Sequence, residues 1–383
     1  MLDAYNAFLY RDDDATGGEG ALAGLSIGVK ANIAVEGMPL HAGLGAWKSR
    51  VAEEDAEVVR RLRKAGAAII GILNMEEGAL GAKTDNPHFG PTHNPHRHGY
   101  SPGGSSGGSG AAVAAGLCDV ALGTDTMGSV RIPAAHCGVY GFKPATDRVS
   151  QEGLIPADRS LDAIGPLARD LDTLEKVSRV ISDFGDGHEQ YEGAVLARHG
   201  VEVKPQVEKA FERALAGLRG TPAEISLEEP NSRIRFAGFI RVSKALADDL
   251  GGVAKSDRLA KLLTYGPGRS IADWAEDQAI LDRTAKRVNA ILEEHGFLIM
   301  PSVPNPPFPH SEPEPAAQAD FTCLANIAGC PALSMPMGYT EDGLPLGVQI
   351  VGSPGYEAGL FALARYLDNN LRAYRAPESA RGA

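Results

Sequence analysis

The order of apolar and polar positions alternates between two periods. Residues 54–65 (EDAEVVRRLRKA) put Val58, Val59 and Leu62 on one face, with acids in the first turn and bases in the last. That pattern predicts a helix, stopped at Gly66. Short apolar runs at Leu25–Val29, closed by Lys30, and at 67–72 predict buried strands on either side of it. A small-residue helix is expected at 111–117 and a strand running into a loop at 120–126. Further along, 207–218 aligns Val207, Phe211, Leu215 and Leu218 as an amphipathic helix. A longer helix is expected at 271–294 and a last one at 357–371. Core strands are expected at 297–304, 327–338 and 343–352. Residues 84–110, rich in Pro, Gly, His and Asn, carry no period and read as a long ordered loop, and 304–315 as a Pro-rich one. Helices interleaved with buried strands predict an α/β fold.

Composition narrows the function. With 383 residues, 43% hydrophobic and 22% charged, the chain can bury a large core without staples. A net charge of −12 argues against nucleic acid, which needs phosphate neutralisation, and against an anionic membrane surface. Cys118, Cys137, Cys323 and Cys330 form no CxxC pair and read as reduced core thiols. The opening MLDAYNAFLYRDDD has no basic start and no long apolar stretch, so a cytoplasmic protein is expected.

Two segments carry candidate chemistry. GGSSGGSG (103–110) could be a flexible linker, a phosphate loop or a structural turn, although the Gly-Lys-Ser/Thr ending of a phosphate loop is missing. In GTDTMGSVRIP (123–133), Ser129 follows small, turn-forming residues at a strand end. Such a turn can expose a hydroxyl beside converging backbone N–H groups, as an acyl-transfer nucleophile needs. No GxSxG elbow surrounds Ser129, so another base must serve. Lys30 stands in an apolar strand, where a neutral amine is favoured, though a strand-end Lys can also snorkel to solvent.

Together, GGSSGGSGAAVAAG (103–116) and ALGTDTMGSVRIPAAHCGVYGFKP (121–144) resemble the amidase signature family of Ser–cisSer–Lys amide hydrolases. The likeness extends to IGVKANIAVEGMP, AAIIGILNMEEGALG, NPHFGPTHNP and SLDAIGPLARD, and to AGCPALSMPMG and DGLPLGVQIVG near the C-terminus. It implies one amidase signature domain over 1–383, a central mixed sheet covered by helices. The core would be 20–180 and 295–370, and about 185–290 a variable substrate-pocket region. It also implies Ser129 as nucleophile, Ser105 as a bridging serine on a cis Gly104–Ser105 bond, and Lys30 as base. The backbone N–H groups of Thr126, Met127, Gly128 and Ser129 would form the oxyanion hole, with Ser106, Thr124, Asp125 and Arg131 supporting. Neither metal nor organic cofactor is expected.

The implied activity is hydrolysis of a small primary, urea-like or carboxylate-bearing amide to acid and ammonia. Alternatives are the glutaminase component of a tRNA-dependent amidotransferase complex and a non-catalytic protein with a binding or assembly role. The expected ligand is a small-molecule amide, with a homodimer or a small partner subunit open.

Two positions depart from the family pattern. Met127 stands where Gly is usual, which implies either backbone strain or a narrowed pocket. Ala31 replaces an Asp that commonly follows the lysine. His93, His96 and His98 could suggest a metal, but no ligand pattern completes them, and they read as a polar loop bordering the pocket. Arg131 could bind a substrate carboxylate or, with Asp125, anchor the nucleophile loop. His136 and the apolar-flanked Cys137 read as core, and Asp162 as a structural position after the site.

Overall fold

The computed structural model describes residues 3–182, 184, 192–197 and 199–378. Its strands are β1 (Phe8–Arg11), β2 (Ser26–Lys30), β3 (Ala68–Leu73), β4 (Asp85–Asn86), β5 (Gly90–Pro91), β6 (Val120–Asp125), β7 (Tyr140–Lys143), β8 (Ala163–Ala168), β9 (Gly193–Leu196), β10 (Ala223–Ile225), β11 (Phe297–Pro301), β12 (Ala332–Tyr339) and β13 (Pro345–Gly352). Eleven of them form one sheet in the order β1-β3-β2-β6-β8-β7-β12-β13-β11-β9-β10, while β4 and β5 pair separately. The sheet is mixed. β2 runs parallel to β3 and β6, and β9 to β10 and β11, while β7, β8, β12 and β13 pair antiparallel.

Helices cover both faces, as an apolar two-sided sheet requires. On one face lie α1 (Glu57–Lys64), α4 (Leu171–Ile181), α5 (Pro205–Ala216) and α10 (Glu357–Leu371), packed over Val29, Leu122, Ile164 and Leu333. On the other, α2 (Gly107–Ala114) and α3 (Arg131–Cys137) cover Leu73, Ala121 and Leu167. A lateral cluster joins α6 (Asn231–Leu250), α8 (Ile271–His295) and α9 (Cys323–Ile327) to β11. The short α7 (Asp257–Leu262) is capped by Ser256. The sheet therefore forms the single α/β domain expected. Among the described residues, no helix is long and apolar enough to cross a membrane.

Three differences from the sequence reading have physical causes. α2 begins at Gly107, inside the segment expected to be loop. Its glycines lie against other backbone: a Cβ on Gly108 would sit 2.4 Å from the Asn74 carbonyl oxygen. Close packing, rather than linker flexibility, accounts for the Gly-rich composition. The segment expected as a strand at 327–338 opens instead with the end of α9 and a turn before β12. The third is the 20-residue α6, which the apolar pattern did not announce. Its buried positions include Asn231, Gly238 and Ser243 beside Ile234 and Ile240, because it packs against neighbours on more than one side, which blurs a single apolar stripe.

Candidate active site

Lys30 ends β2 in the sheet interior and is fully buried. Its Nζ lies 2.8 Å from Ser105 Oγ and 2.7 Å from Thr124 Oγ1. Burial lowers its pKa from the usual lysine value to about 7, against the raising pull of Asp162, Asp125 and Glu76. Ala31 sits in the apolar core, so these anionic neighbours come from elsewhere in the fold.

The Gly104–Ser105 peptide is cis, and Ser105 is fully buried. Ser106 donates its N–H to the Ser129 carbonyl at 3.3 Å, and its hydroxyl donates to the Thr124 carbonyl at 3.2 Å. These contacts tie the Ser-rich turn to the end of β6 and to the segment after it. Ser129 is 8% exposed, and its Oγ has no hydrogen bond to another described residue. It lines a cleft that opens to solvent at its mouth. Ala79–Ala82, Met127, Ile132, Phe239, Val242 and Ala316 give the walls an apolar character. Arg235, Glu314 and Gln318 add polar groups.

The loop 126–129 is held from behind. Asp125 Oδ1 accepts the Gly128 N–H at 2.7 Å, and Oδ2 accepts the Val130 N–H at 3.1 Å. The Gly128 N–H is thus committed to Asp125 and unavailable as an oxyanion donor, which corrects the four-donor hole the sequence implied. The N–H groups of Thr126, Met127 and Ser129 have no hydrogen-bond partner among the described residues. Gly128 has φ +130°, and a Cβ there would strike Thr322 Oγ1 at 2.1 Å, so glycine is required. Met127 is not among the residues with positive φ. Its side chain lines the cleft and meets Gly238 of α6, which decides between the two consequences of that departure: it narrows the pocket without backbone strain.

Arg131 is buried completely and bonds Asp125 through Nε and an Nη at 3.0 and 2.9 Å. Its remaining donors reach Gln349 and Asn326, both at 2.7 Å. This holds Asp125 at a pKa of about 2 although burial opposes it. Arg131 therefore braces the loop from within and does not line the cleft. Asp162 accepts from Thr126 Oγ1, and burial raises its pKa to about 6.

The sequence reading missed Asn326 and Gln349, which complete the Arg131 network, and Thr322, which bonds the Met127 carbonyl at 2.7 Å. It also missed the cleft side chains Arg235, Phe239, Glu314 and Gln318. Only their proximity in the fold marks them. The His93 and His98 rings lie tilted against each other with centroids 3.9 Å apart, and the His310 ring meets His93 edge-on at 5.5 Å. Neither they nor His96 line the cleft, contrary to the bordering role considered. Among the described residues, no group of His, Cys, Asp and Glu is arranged to hold a metal ion. Burial pushes the Cys137 thiol well up and lowers His136 to about 4.

The family model described as Amidase matches residues 4–249 and 256–361. The A subunit of the glutamyl-tRNA(Gln) amidotransferase of Methanosarcina mazei is 34% identical, covering 96% of this chain and 89% of that protein. The solved protein of the same name from Thermotoga maritima superposes with a TM-score of 0.88 at 27% identity, covering 98% of this chain and 91% of that one. Another solved protein, described as an amidase, gives 0.87 at 31% identity over 96% of this chain and 92% of its own.

Proposed function

This chain belongs to the amidase family, and from that premise we propose that it releases ammonia from the carboxamide of a small molecule through an acyl-enzyme on Ser129. The observation that carries the reading is the 2.8 Å contact of a buried, weakly basic Lys30 with Ser105, beside a nucleophile candidate that opens on a cleft. Neutral Lys30 accepts the Ser105 proton, Ser105 takes the Ser129 proton, and Ser129 Oγ bonds the amide carbon. The developing oxyanion is met by the N–H groups of Thr126, Met127 and Ser129, each such donor typically contributing about 2.7–4 kcal/mol. The proton returns to the leaving nitrogen as the C–N bond breaks. Water then splits the ester, its proton passing back to Ser129, and the acid departs.

Two substrate readings fit this chemistry. Likeness over nearly the whole chain to amidotransferase A subunits supports a glutaminase that hands ammonia to a partner. The cleft supports a free-standing hydrolase of small amides, because Arg235 and Glu314 are already ion-paired with Asp320 and Arg258 and the other walls are largely apolar.

Ammonia release from glutamine and from a panel of small amides, with and without a partner protein, separates the two. Ser129→Ala should cut turnover by at least about 10³-fold while leaving the fold intact. Full activity in that variant would sink the mechanism. Failure of a fluorophosphonate to label Ser129 in folded protein would favour an assembly role instead.

A further inference from the structure

Of the polar side chains lining the cleft, three are engaged. Thr126 bonds Asp162, Arg235 pairs with Asp320, and Glu314 accepts the Ala82 N–H at 3.0 Å and an Arg258 guanidinium N–H at 2.8 Å. Ser129 is the candidate nucleophile. Gln318 remains. It is 2% exposed, lines the same cleft as Ser129, and has no hydrogen-bond partner for either Oε1 or Nε2 among the described residues. A buried primary amide with both ends unmet is costly, and a bound group that meets both removes the cost.

We propose that Gln318 is a specificity-determining residue that recognises a second, neutral amide on the substrate, at the end that is not cleaved. A carboxamide side chain presents one acceptor and one donor side by side. A carboxylate would answer only Nε2 and an ammonium only Oε1. A carboxamide or ureido group answers both at once. A zwitterionic amino-acid head would also reach both atoms. However, it would bring two charges into a cleft whose own charged side chains are already neutralised by partners. The recognised substrate class is therefore a small diamide or a ureido-amide. Gln318 does not touch the reacting atoms. It fixes which carboxamide meets Ser129.

This inference rests on the hydrolase reading of Ser129 and, of the two substrate readings, on the small-amide one. The test measures ammonia release from succinamide, from its isostere 4-methylpentanamide and from glutamine, by the native chain and by Gln318→Leu. The native chain should favour succinamide over the isostere by about tenfold or more in kcat/KM, the scale of one well-placed hydrogen-bonded group. Gln318→Leu should abolish that preference by raising KM for succinamide, with the isostere used at least as well as by the native chain. Gln318→Asn, which keeps the amide on a shorter stem, should retain part of it. Equal losses on both amides, no preference in the native chain, or an effect confined to glutamine would overturn the inference. Fluorophosphonate labelling of Ser129 is read in parallel. Normal labelling with no diamide turnover overturns the Gln318 assignment alone, whereas absent labelling overturns the hydrolase reading and the assignment with it.

Discussion

At the scale of single residues, the proposed chemistry depends on an amine held out of water. Lys30 carries its charge poorly because burial removes hydration, and the three carboxylates that act on it restore only part of the loss. With a pKa of about 7, the amine is mostly protonated in acid and mostly neutral in alkali. In the proposed mechanism the neutral amine is the active form, so kcat/KM should fall about tenfold per pH unit below the midpoint and level off above it. A flat profile with chemistry limiting would remove Lys30 as the base. Asp162 is the foremost carboxylate opposing the shift, so Asp162→Asn should move the midpoint to lower pH. A midpoint that stays in place or rises would show that Asp162 does not act on Lys30. The family resemblance named Lys30, Ser105 and Ser129 as candidates, and the fold brings Lys30 and Ser105 into contact. Gln318 lies in none of the motifs that carry the resemblance, and only its unpaired amide beside the cleft singles it out.

At the scale of elements, the site is where secondary structures meet at close range. The Ser-rich turn approaches the segment after β6 because α2 packs with glycine where other helices present side chains. Gly107 would place a Cβ 2.3 Å from Thr84 Oγ1, and Gly108 one 2.4 Å from the Asn74 oxygen. Backbone cannot yield as a flexible side chain does, so Gly108→Ala should cost stability and slow turnover together. Chemical denaturation and ammonia release on the same preparation measure both, and an unchanged denaturation midpoint would refute the packing account. Elements with a clean period, such as α1, α8 and α10, were readable within a few residues. α6 was not, since contact on several sides scatters its buried positions.

At the scale of the whole molecule, Arg131 links parts of the chain far apart in sequence. It joins Asp125 at the end of β6 to Asn326 in α9 and Gln349 in β13. Asp125 in turn fixes the Gly128 and Val130 N–H groups, so the loop that carries Ser129 is braced by the C-terminal third of the fold. Arg131→Ala would leave a buried carboxylate without its counter-charge, a change that typically costs about 3–5 kcal/mol. The unfolding midpoint should drop accordingly, with activity lost. Retained stability would mean that water or a neighbour compensates Asp125. Gln349→Ala, which leaves the Asp125 pair intact, should cost less.

The sequence by itself determined the α/β class and the family likeness, and through that likeness it named one amine and two hydroxyls as candidates. The class follows from local patterns, a strand's apolar run and a helix's period, and the likeness follows from whole motifs. The tertiary structure decided which backbone N–H groups are free, because Asp125 claims one that the motif alone would have counted. It also decided that Met127 narrows a cleft rather than straining a turn, and that Gln318 stands unpaired beside Ser129's opening. Hydrogen-bond partners and cavities are relations between distant segments, and a linear order of residues does not contain them.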